Sequence, residues 1–424
     1  MGLNIHTKIK INTDRLKHNI DELAGIGCNE AGGIDRWLGS EADRLARAWL
    51  EEYWNSHFGK STETDGIANM WMKRAGAEKL PPIMFGSHLD SVANGGKYDG
   101  ALGVLLATEI LLTIEENNIC TRHPFHIVSF TGEEPNPYNV STLGSKVITG
   151  RLKKEDLLVL KSMENGESLK ERIELLGGDI NGIEKSKLHP GDASAFLECH
   201  IEQGRNLFDG GLSVASVKCI TGIYRENITI NGTANHAGTT LMKYRQDALL
   251  AASEFNLAFE RIIGETGGDE LVGTIGQLNV FPNSVNIIPG RIELVMEIRS
   301  CDSDLKERVL NALEREIVSI EKNREVRIQR KINLDQPKID MSHEVVKAVN
   351  YGIGFLNQRQ LELVSMAGHD AANMARVTRS GMIFVQSIDG KSHCPEERTN
   401  IEDIETAGNA MLEALLRMDL ELDG

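Results

Sequence analysis

Three of the twelve histidines stand beside carboxylates in short motifs suited to metal ligation. His88 lies in Gly-Ser-His88-Leu-Asp90-Ser-Val, where a carboxylate two residues on can accept a hydrogen bond from the free ring nitrogen and fix the tautomer a metal needs. Asp99 follows in Gly-Gly-Lys-Tyr-Asp99-Gly-Ala; alone it reads almost as well as the cap of the helix that begins just after it. In Thr-Gly-Glu133-Glu134-Pro, adjacent carboxylates point in different directions, so one can bind a metal while the other takes a proton from activated water. A solvated acidic pair is the bland alternative. His200 stands in Glu198-Cys-His200-Ile-Glu-Gln-Gly and His393 in Lys391-Ser-His393-Cys-Pro. Each motif is weak alone. Their joint occurrence at the ends of apolar runs is much harder to dismiss.

Those runs are the strands that must position the motifs. Pro82 to Gly86, Pro124 to Phe130 and Ala195 to His200 each run into a loop rich in ionisable residues, and Ala101 to Glu116 has helical spacing. That alternation belongs to an open α/β sheet, whose ligands gather at the carboxyl ends of its strands. From about residue 213 the character changes. Leu212 to Cys219 and Arg225 to Ile230 are β-rich, 243–264 is helical, 271–299 gives strands broken at Pro282-Asn283, and a helix (302–323) and a strand (325–333) follow. This reads as an α+β insert with one sheet and two long helices. A helix from 343, a strand over Met382 to Ser387 and a last helix over 401–418 look like the first domain resuming. The expected division is 1–213 and 334–424 for the metal-binding domain and 214–333 for the insert.

Composition bounds the function. Acidic residues outnumber basic ones by 62 to 46, a net charge of -16, and so negative a surface repels nucleic-acid backbones. The longest apolar stretch, Ala101 to Thr113, contains Glu109 and falls short of the roughly 18 residues of a membrane span. The opening residues carry no apolar export signal, and His6 stands where a myristoylation signal wants Ser or Thr. The six cysteines lie far apart with no CxxC pair, so the expectation is reduced thiols in a cytoplasmic protein. No G-x-S-x-G and no P-loop occurs, which disfavours serine hydrolases and P-loop nucleotide enzymes.

Taken in order, His88-Leu-Asp90, the Asp99-Gly turn, Glu133-Glu134, Glu198-Cys-His200-Ile-Glu-Gln-Gly and Ser-His393 resemble the successive motifs of the hydantoinase/carbamoylase group of dinuclear zinc amidohydrolases. The group includes N-carbamoyl-L-amino-acid hydrolases, allantoate amidohydrolases and β-ureidopropionases, within the metallo-aminoacylase and carboxypeptidase family. The resemblance spans roughly residues 25 to 415. It implies a zinc-exopeptidase-like α/β fold: a mixed central sheet flanked by helices, interrupted by a smaller ferredoxin-like α+β lid and dimerisation domain.

The resemblance also implies roles. His88 and His200 would hold one divalent ion, Glu134 and His393 a second, and Asp99 would bridge them; Glu133 would be the general base and Asp90 the orienter of His88. Zinc or manganese suits such mixed His/carboxylate ligands, with cobalt or nickel as further options. In the insert, Thr233-Ala-Asn-His236-Ala-Gly resembles the lid motif whose histidine stabilises the oxyanion, commonly from the neighbouring subunit of a homodimer. Asn286 and Arg299, on successive strands, match the pair that holds the substrate carboxylate, a task suited to the planar Arg fork, and Gln203 matches a polar substrate contact. Gly368-His369-Asp370-Ala matches a further stretch near the site. The activity implied is hydrolysis of the carbamoyl C–N bond of an N-carbamoyl-L-amino acid or a ureido acid such as allantoate. An N-acyl-amino-acid hydrolase or peptidase is the alternative, disfavoured because those relatives place a carboxylate where this chain has His200. One departure stands out: the group often has Gly-Ser-Arg-Phe or a close variant after the glutamate pair, whereas this chain has Pro135-Asn-Pro137-Tyr-Asn139.

Overall fold

The computed structural model describes residues 9–268 and 270–423. Two compact units are present. One runs up to Lys218 and resumes over Met341–Leu363 and from Gly368, and the other comprises Cys219–Asp340 with Val364–Ala367. These divisions fall a few residues later than the changes in sequence character, because the strand that begins at Val214 continues to Ile220 and a further short strand covers Ile339–Asp340.

In the first unit the elements before the division are α1 (Thr13–Gly25), α2 (Glu41–Phe58), β1 (Glu63–Thr64), β2 (Met70–Arg74), β3 (Ile83–His88), α3 (Ala101–Glu116) and β4 (Phe125–Phe130). The short helices α4 (Leu143–Ile148), α5 (Lys154–Leu158) and α6 (Leu169–Leu175) precede β5 (Ala195–Ile201), α7 (Asn206–Gly210) and β6 (Val214–Ile220). In the second unit come β7 (Gly222–Asn231), α8 (Ala248–Thr266), β8 (Leu271–Phe281), β9 (Arg291–Ser300), α9 (Ser303–Arg324), β10 (Arg327–Gln336) and β11 (Ile339–Asp340). The chain then makes α10 (His343–Phe355), β12 (Glu362–Ser365), α11 (Asp370–Met374), β13 (Arg379–Val385) and α12 (Ile401–Glu421).

The central sheet has the order β1-β2-β4-β3-β5-β13-β6-β11, with β12 beside β6. Its middle strands β4, β3, β5 and β13 are parallel, while β2 and β6 pair antiparallel on either side. Four carboxyl ends therefore open on the same edge, the edge where α/β sheets bind ligands. The middle strands β3 and β5 are buried along their whole length, as parallel strands covered on both faces must be. Helix α3 is buried from Ala101 through Ile114, so its sequence is apolar all round instead of amphipathic. The one charge within that buried stretch, Glu109, is answered by Arg15, whose Nε lies 2.7 Å and Nη2 2.8 Å from the carboxylate, and by the Asn12 amide.

The second unit has the chain order βαββαβ and an antiparallel sheet in the order β10-β7-β9-β8. Along β9 buried residues alternate with half-exposed ones, and Ile292, Leu294, Met296 and Ile298 pack with Phe255 and Phe259 of α8 and Val309 and Leu313 of α9. The helix read as starting near 243 begins at Ala248, where the Asp247 side chain accepts from the amides of Leu249 and Leu250. One expectation is corrected. Cys219 and Cys301 form a disulfide, with Cα atoms 6.6 Å apart, within the span such a bond requires. A sequence separation of 82 hid the pairing, since the ends of β6 and β9 meet only through the fold. Cys28, Cys120, Cys199 and Cys394 are free. Among the described residues no helix is long and apolar enough to cross a membrane.

Candidate metal centre

The strand ends carry the ligand-type residues together. His88 is the last residue of β3, Glu133 and Glu134 follow β4, His200 lies at the end of β5, and His393 is on the loop after β13. Asp99 enters from the loop ahead of α3, through a turn that only glycine can make: Gly100 has φ 63°, and a Cβ there would stand 2.2 Å from the His88 ring. Two donor sets result, His88–Asp99–His200 and Asp99–Glu134–His393, each with its ligand atoms within 4.8 Å of one another. Asp99 belongs to both. Its Oδ1 faces His200 Nε2 at 3.2 Å and His88 Nε2 at 3.6 Å, and its Oδ2 faces His393 Nε2 at 3.5 Å. Glu134 Oε1 lies 3.4 Å from His393 Nε2, and Glu133 Oε2 lies 3.7 Å from His88 Nε2.

Both buried imidazoles are aimed. His88 Nδ1 lies 3.0 Å from the main-chain carbonyl of Asp90 and His200 Nδ1 lies 2.9 Å from that of Ile201, so each Nδ1 donates and each Nε2 turns its lone pair inward. The orienting contact at His88 is thus the Asp90 carbonyl; the Asp90 carboxylate stands 3.6 Å away and accepts from the amides of Glu133 and Glu134 instead. It thereby fixes the turn that presents both glutamates. Gln203 presents its side-chain nitrogen 2.6 Å from Asp99 Oδ2, at the rim of the same cluster.

The electrostatics call for cations. Burial and the charges of Glu134, Asp370, Asp90 and Asp99 push the Glu133 carboxyl well above the usual range. Burial, together with Asp43, raises Asp90 to about 7. Burial alone would lower His200, but the Asp99 charge and hydrogen bond lift it to about 9, and hydrogen bonds to Asp99 and Glu134 lift His393 to about 10. In this nest of carboxylates His200 and His393 supply positive charge by taking up protons. His88 Nε2 is buried with no hydrogen-bond partner, which is expensive unless a ligand satisfies it. Two divalent ions fit this donor set in number, charge and hard/borderline character.

Around the ligands lies a layer the motifs had not assigned. Glu198 accepts from Ser87 Oγ at 2.8 Å and from the Ala371 amide at 2.9 Å, Asp370 accepts from Ser145 Oγ, and the His369 ring packs edge-on against His200 with centroids 4.6 Å apart. The Pro135–Pro137 loop, which lacks the family's Arg and Phe, folds around buried Asn136, whose Nδ2 donates to the carbonyls of Glu134 and Val140 and whose Oδ1 accepts from the Tyr138 amide.

The remaining sequence-singled residues belong to the second unit. His236 is exposed, and its Nδ1 accepts from the amides of Gly238 (3.0 Å) and Thr239 (3.2 Å), so the ring proton sits on Nε2 and points outward as a donor. Asn286 lies on the turn between β8 and β9, not on a strand, and this turn bridges to the His236 segment through Ala237 and Ile287. Arg299 stands near the other end of β9, where its Nε meets Glu297 at 2.7 Å and its Nη1 the Met366 carbonyl at 2.7 Å. The eight strand steps from Arg291 to Arg299 alone span about 26 Å. Within one chain, Asn286 and Arg299 do not meet.

Comparison with known proteins decides the lineage. The model of peptidase family M20/M25/M40 matches residues 84–417. The chain belongs to this family. It is 34% identical over 394 residues to an N-carbamoyl-L-amino acid amidohydrolase of Geobacillus stearothermophilus, covering 93% of this chain and 95% of that protein. It is 32% identical over 408 residues to the allantoate amidohydrolase of Bacillus subtilis, covering 94% and 96%. The crystal structure of a hydantoinase/carbamoylase family amidase from Burkholderia multivorans superposes with a TM-score of 0.88 at 31% identity, covering 96% of this chain and 98% of that one. This M20 protein is accordingly an amidohydrolase with the mixed α/β fold of those relatives.

Proposed function

We propose that this amidohydrolase cleaves the carbamoyl C–N bond of an N-carbamoyl-L-amino acid or of a related ureido acid such as allantoate, using two divalent metal ions. The observation that carries the reading is the placement of Asp99, with one carboxylate oxygen toward each of two donor sets and Glu133 alongside. When bound, the two ions supply Lewis acidity and a more acidic attacking water. Glu133 takes the proton of that water as its oxygen adds to the carbonyl carbon. His236 Nε2–H donates to the oxygen that gains negative charge. The C–N bond then breaks, and Glu133 returns its proton to the departing nitrogen. His88, His200, Asp99, Glu134 and His393 hold the ions, and Gln203 lines the approach.

The second unit serves as lid and dimerisation domain in this reading. Asn286 and Arg299 cannot clasp one substrate carboxylate from a single chain, so a homodimer supplies them from two, with Asn286 and His236 of one subunit acting at the other's metals. The long edge strand β8, exposed along most of its length with Val272, Leu278 and Phe281 outward, offers the surface for that pairing.

The test is ammonia release from a panel of N-carbamoyl amino acids, allantoate, ureidoglycolate and N-acetyl amino acids, with zinc, manganese or cobalt added. Turnover of the ureido compounds and not of the N-acetyl ones is expected. Preference for N-acetyl substrates would replace the carbamoyl reading with an aminoacylase.

A further inference from the structure

The five ligand-type residues are not held alike. Four are buried, but His393 lies on a loop outside any helix or strand, its side chain is 47% exposed, and its backbone takes the left-handed φ of 57°. Such a conformation persists in a non-glycine residue only where the surroundings impose it. The residue before His393 is held by a carboxylate that no catalytic motif singled out. Glu397 is only 3% exposed; its Oε1 accepts from the amides of Tyr98 (2.8 Å) and Asp99 (3.1 Å), and its Oε2 accepts from Ser392 Oγ (2.9 Å). Ser392 Oγ also lies 2.8 Å from Asp99 Oδ2. One side chain therefore ties the Asp99 loop to the residue before His393, across 298 positions of sequence. Room for it is made by Gly96, where a Cβ would stand 2.1 Å from the Glu397 carboxyl.

We propose that Glu397 is a positioning residue selective for one of the two cation sites, the site formed by Asp99, Glu134 and His393. The inference rests on the dinuclear reading above. His88 and His200 are aimed by main-chain carbonyls close to them in sequence, whereas the His393 segment is joined to the Asp99 loop by side chains: Ser392 and Glu397 on one side, and on the other Gln203, whose Nε2 lies 2.6 Å from Asp99 Oδ2 and 3.3 Å from His393 Nε2. Groups that hold a ligand in place without touching the metal typically tune affinity about 10- to 100-fold.

Equilibrium dialysis of the full chain against Co²⁺ separates the cases. The wild type should bind about two ions, Glu397→Ala about one, and Glu397→Gln, which keeps the acceptor for both amides, about two with the weaker site loosened less than in the alanine variant. Two ions at wild-type affinity in Glu397→Ala would overturn the proposal, and so would loss of both ions, which marks a general structural role. If Glu397→Ala does not fold, Ser392→Ala removes one arm of the tie, and the second site should weaken about 10-fold while the first keeps its affinity; an unchanged second site overturns the proposal. A wild-type chain that binds fewer than two ions sinks the dinuclear reading and this inference with it, an outcome distinct from failure of the variants alone.

Discussion

In the first unit the rings of His88, His200 and His393 approach Asp99 or Glu134 to between 3.2 and 3.6 Å, whereas in the second unit Asn286 lies past one end of β9 and Arg299 near the other. The first arrangement is assembled by folding. Parallel strands deliver four loops to one edge, main-chain carbonyls aim the rings, and the charges left over ask for cations. The second arrangement is a set of polar groups on an antiparallel sheet, too far apart along β9 for Asn286 and Arg299 to share one ligand within a chain. Under the proposed reading a second chain would bring such a pair together, so the contrast sets a cluster assembled by folding against one that the proposal assigns to assembly.

The largest expected effect tests the first region. Glu133→Gln keeps the shape but removes the proton acceptor, so kcat should fall about 10³-fold with both metals retained. Glu134→Gln should instead lose metal, and metal analysis of the two variants distinguishes them. If metal content fell in the first variant and held in the second, the roles of the adjacent glutamates would be exchanged.

The same cluster predicts a pH dependence of loading. His200 and His393 are raised to about 9 and about 10 in the ion-free protein, so both carry protons at neutral pH and must give them up to bind a metal. Apparent affinity of each site should therefore rise with pH from 6 toward 9, by up to about 10-fold per pH unit, since each ion displaces one of the two protons. Calorimetry in buffers of differing ionisation enthalpy counts the protons released. A pH-independent affinity would mean that the histidines stay outside the ligand set.

Much of the first region was legible because its motifs sit where apolar runs stop. The run at 82–86 continues to His88, the run at 124–130 is followed by Glu133-Glu134, the run at 195–200 holds His200 and the strand read over 382–387 leads to His393, so a strand-plus-loop reading locates four of the five ligand-type residues without any structure. The insert's strands and helices were legible for the same reason, through alternation and helical spacing, but the sequence reads as ββαββαβ because Leu212 to Cys219 is counted into the insert, whereas β6 pairs with β13 in the central sheet and leaves βαββαβ. Helices α4, α5 and α6 went unread, being only five to seven residues long and short of a full period of signal. Glu397 and the Cys219–Cys301 bond were unreadable in principle, since each joins residues that only tertiary closure brings together. Asn286 was misplaced onto a strand because the break at Pro282-Asn283 was read as a short interruption, whereas the turn runs to Gly290.

A sharper test falls on His236. In the proposed mechanism its Nε2–H acts on charge that develops in the reaction, so His236→Ala should lower kcat about 10²-fold while metal content and thermal stability stay unchanged. Mixing that variant with Glu133→Gln protein asks whose metals it serves. If the histidine works across subunits, each mixed dimer has one intact site and activity returns. Absence of recovery after proven subunit exchange would assign His236 to its own chain.

The smallest effect bears most directly on the contrast between the two regions. Asn286→Ala and Arg299→Ala should each raise KM about 10-fold with little change in kcat, since the clasp holds the carboxylate equally in ground and transition states. Arg299 already spends Nε on Glu297 and Nη1 on Met366, leaving Nη2 for a ligand, so its loss should approximate that of a single charged contact. In a mixed population of the two variants, a clasp shared between subunits leaves about a quarter of all sites whole: half the dimers are mixed, and in each of these one site draws its Arg299 and its Asn286 from unmutated positions. A clasp contained in one chain leaves every site with one lesion, and no fraction with wild-type KM appears. Saturation curves of the mixture therefore decide the point. A biphasic curve with a wild-type component supports assembly between chains, and a single phase at the raised KM after subunit exchange requires that the two ends of β9 serve different ligands.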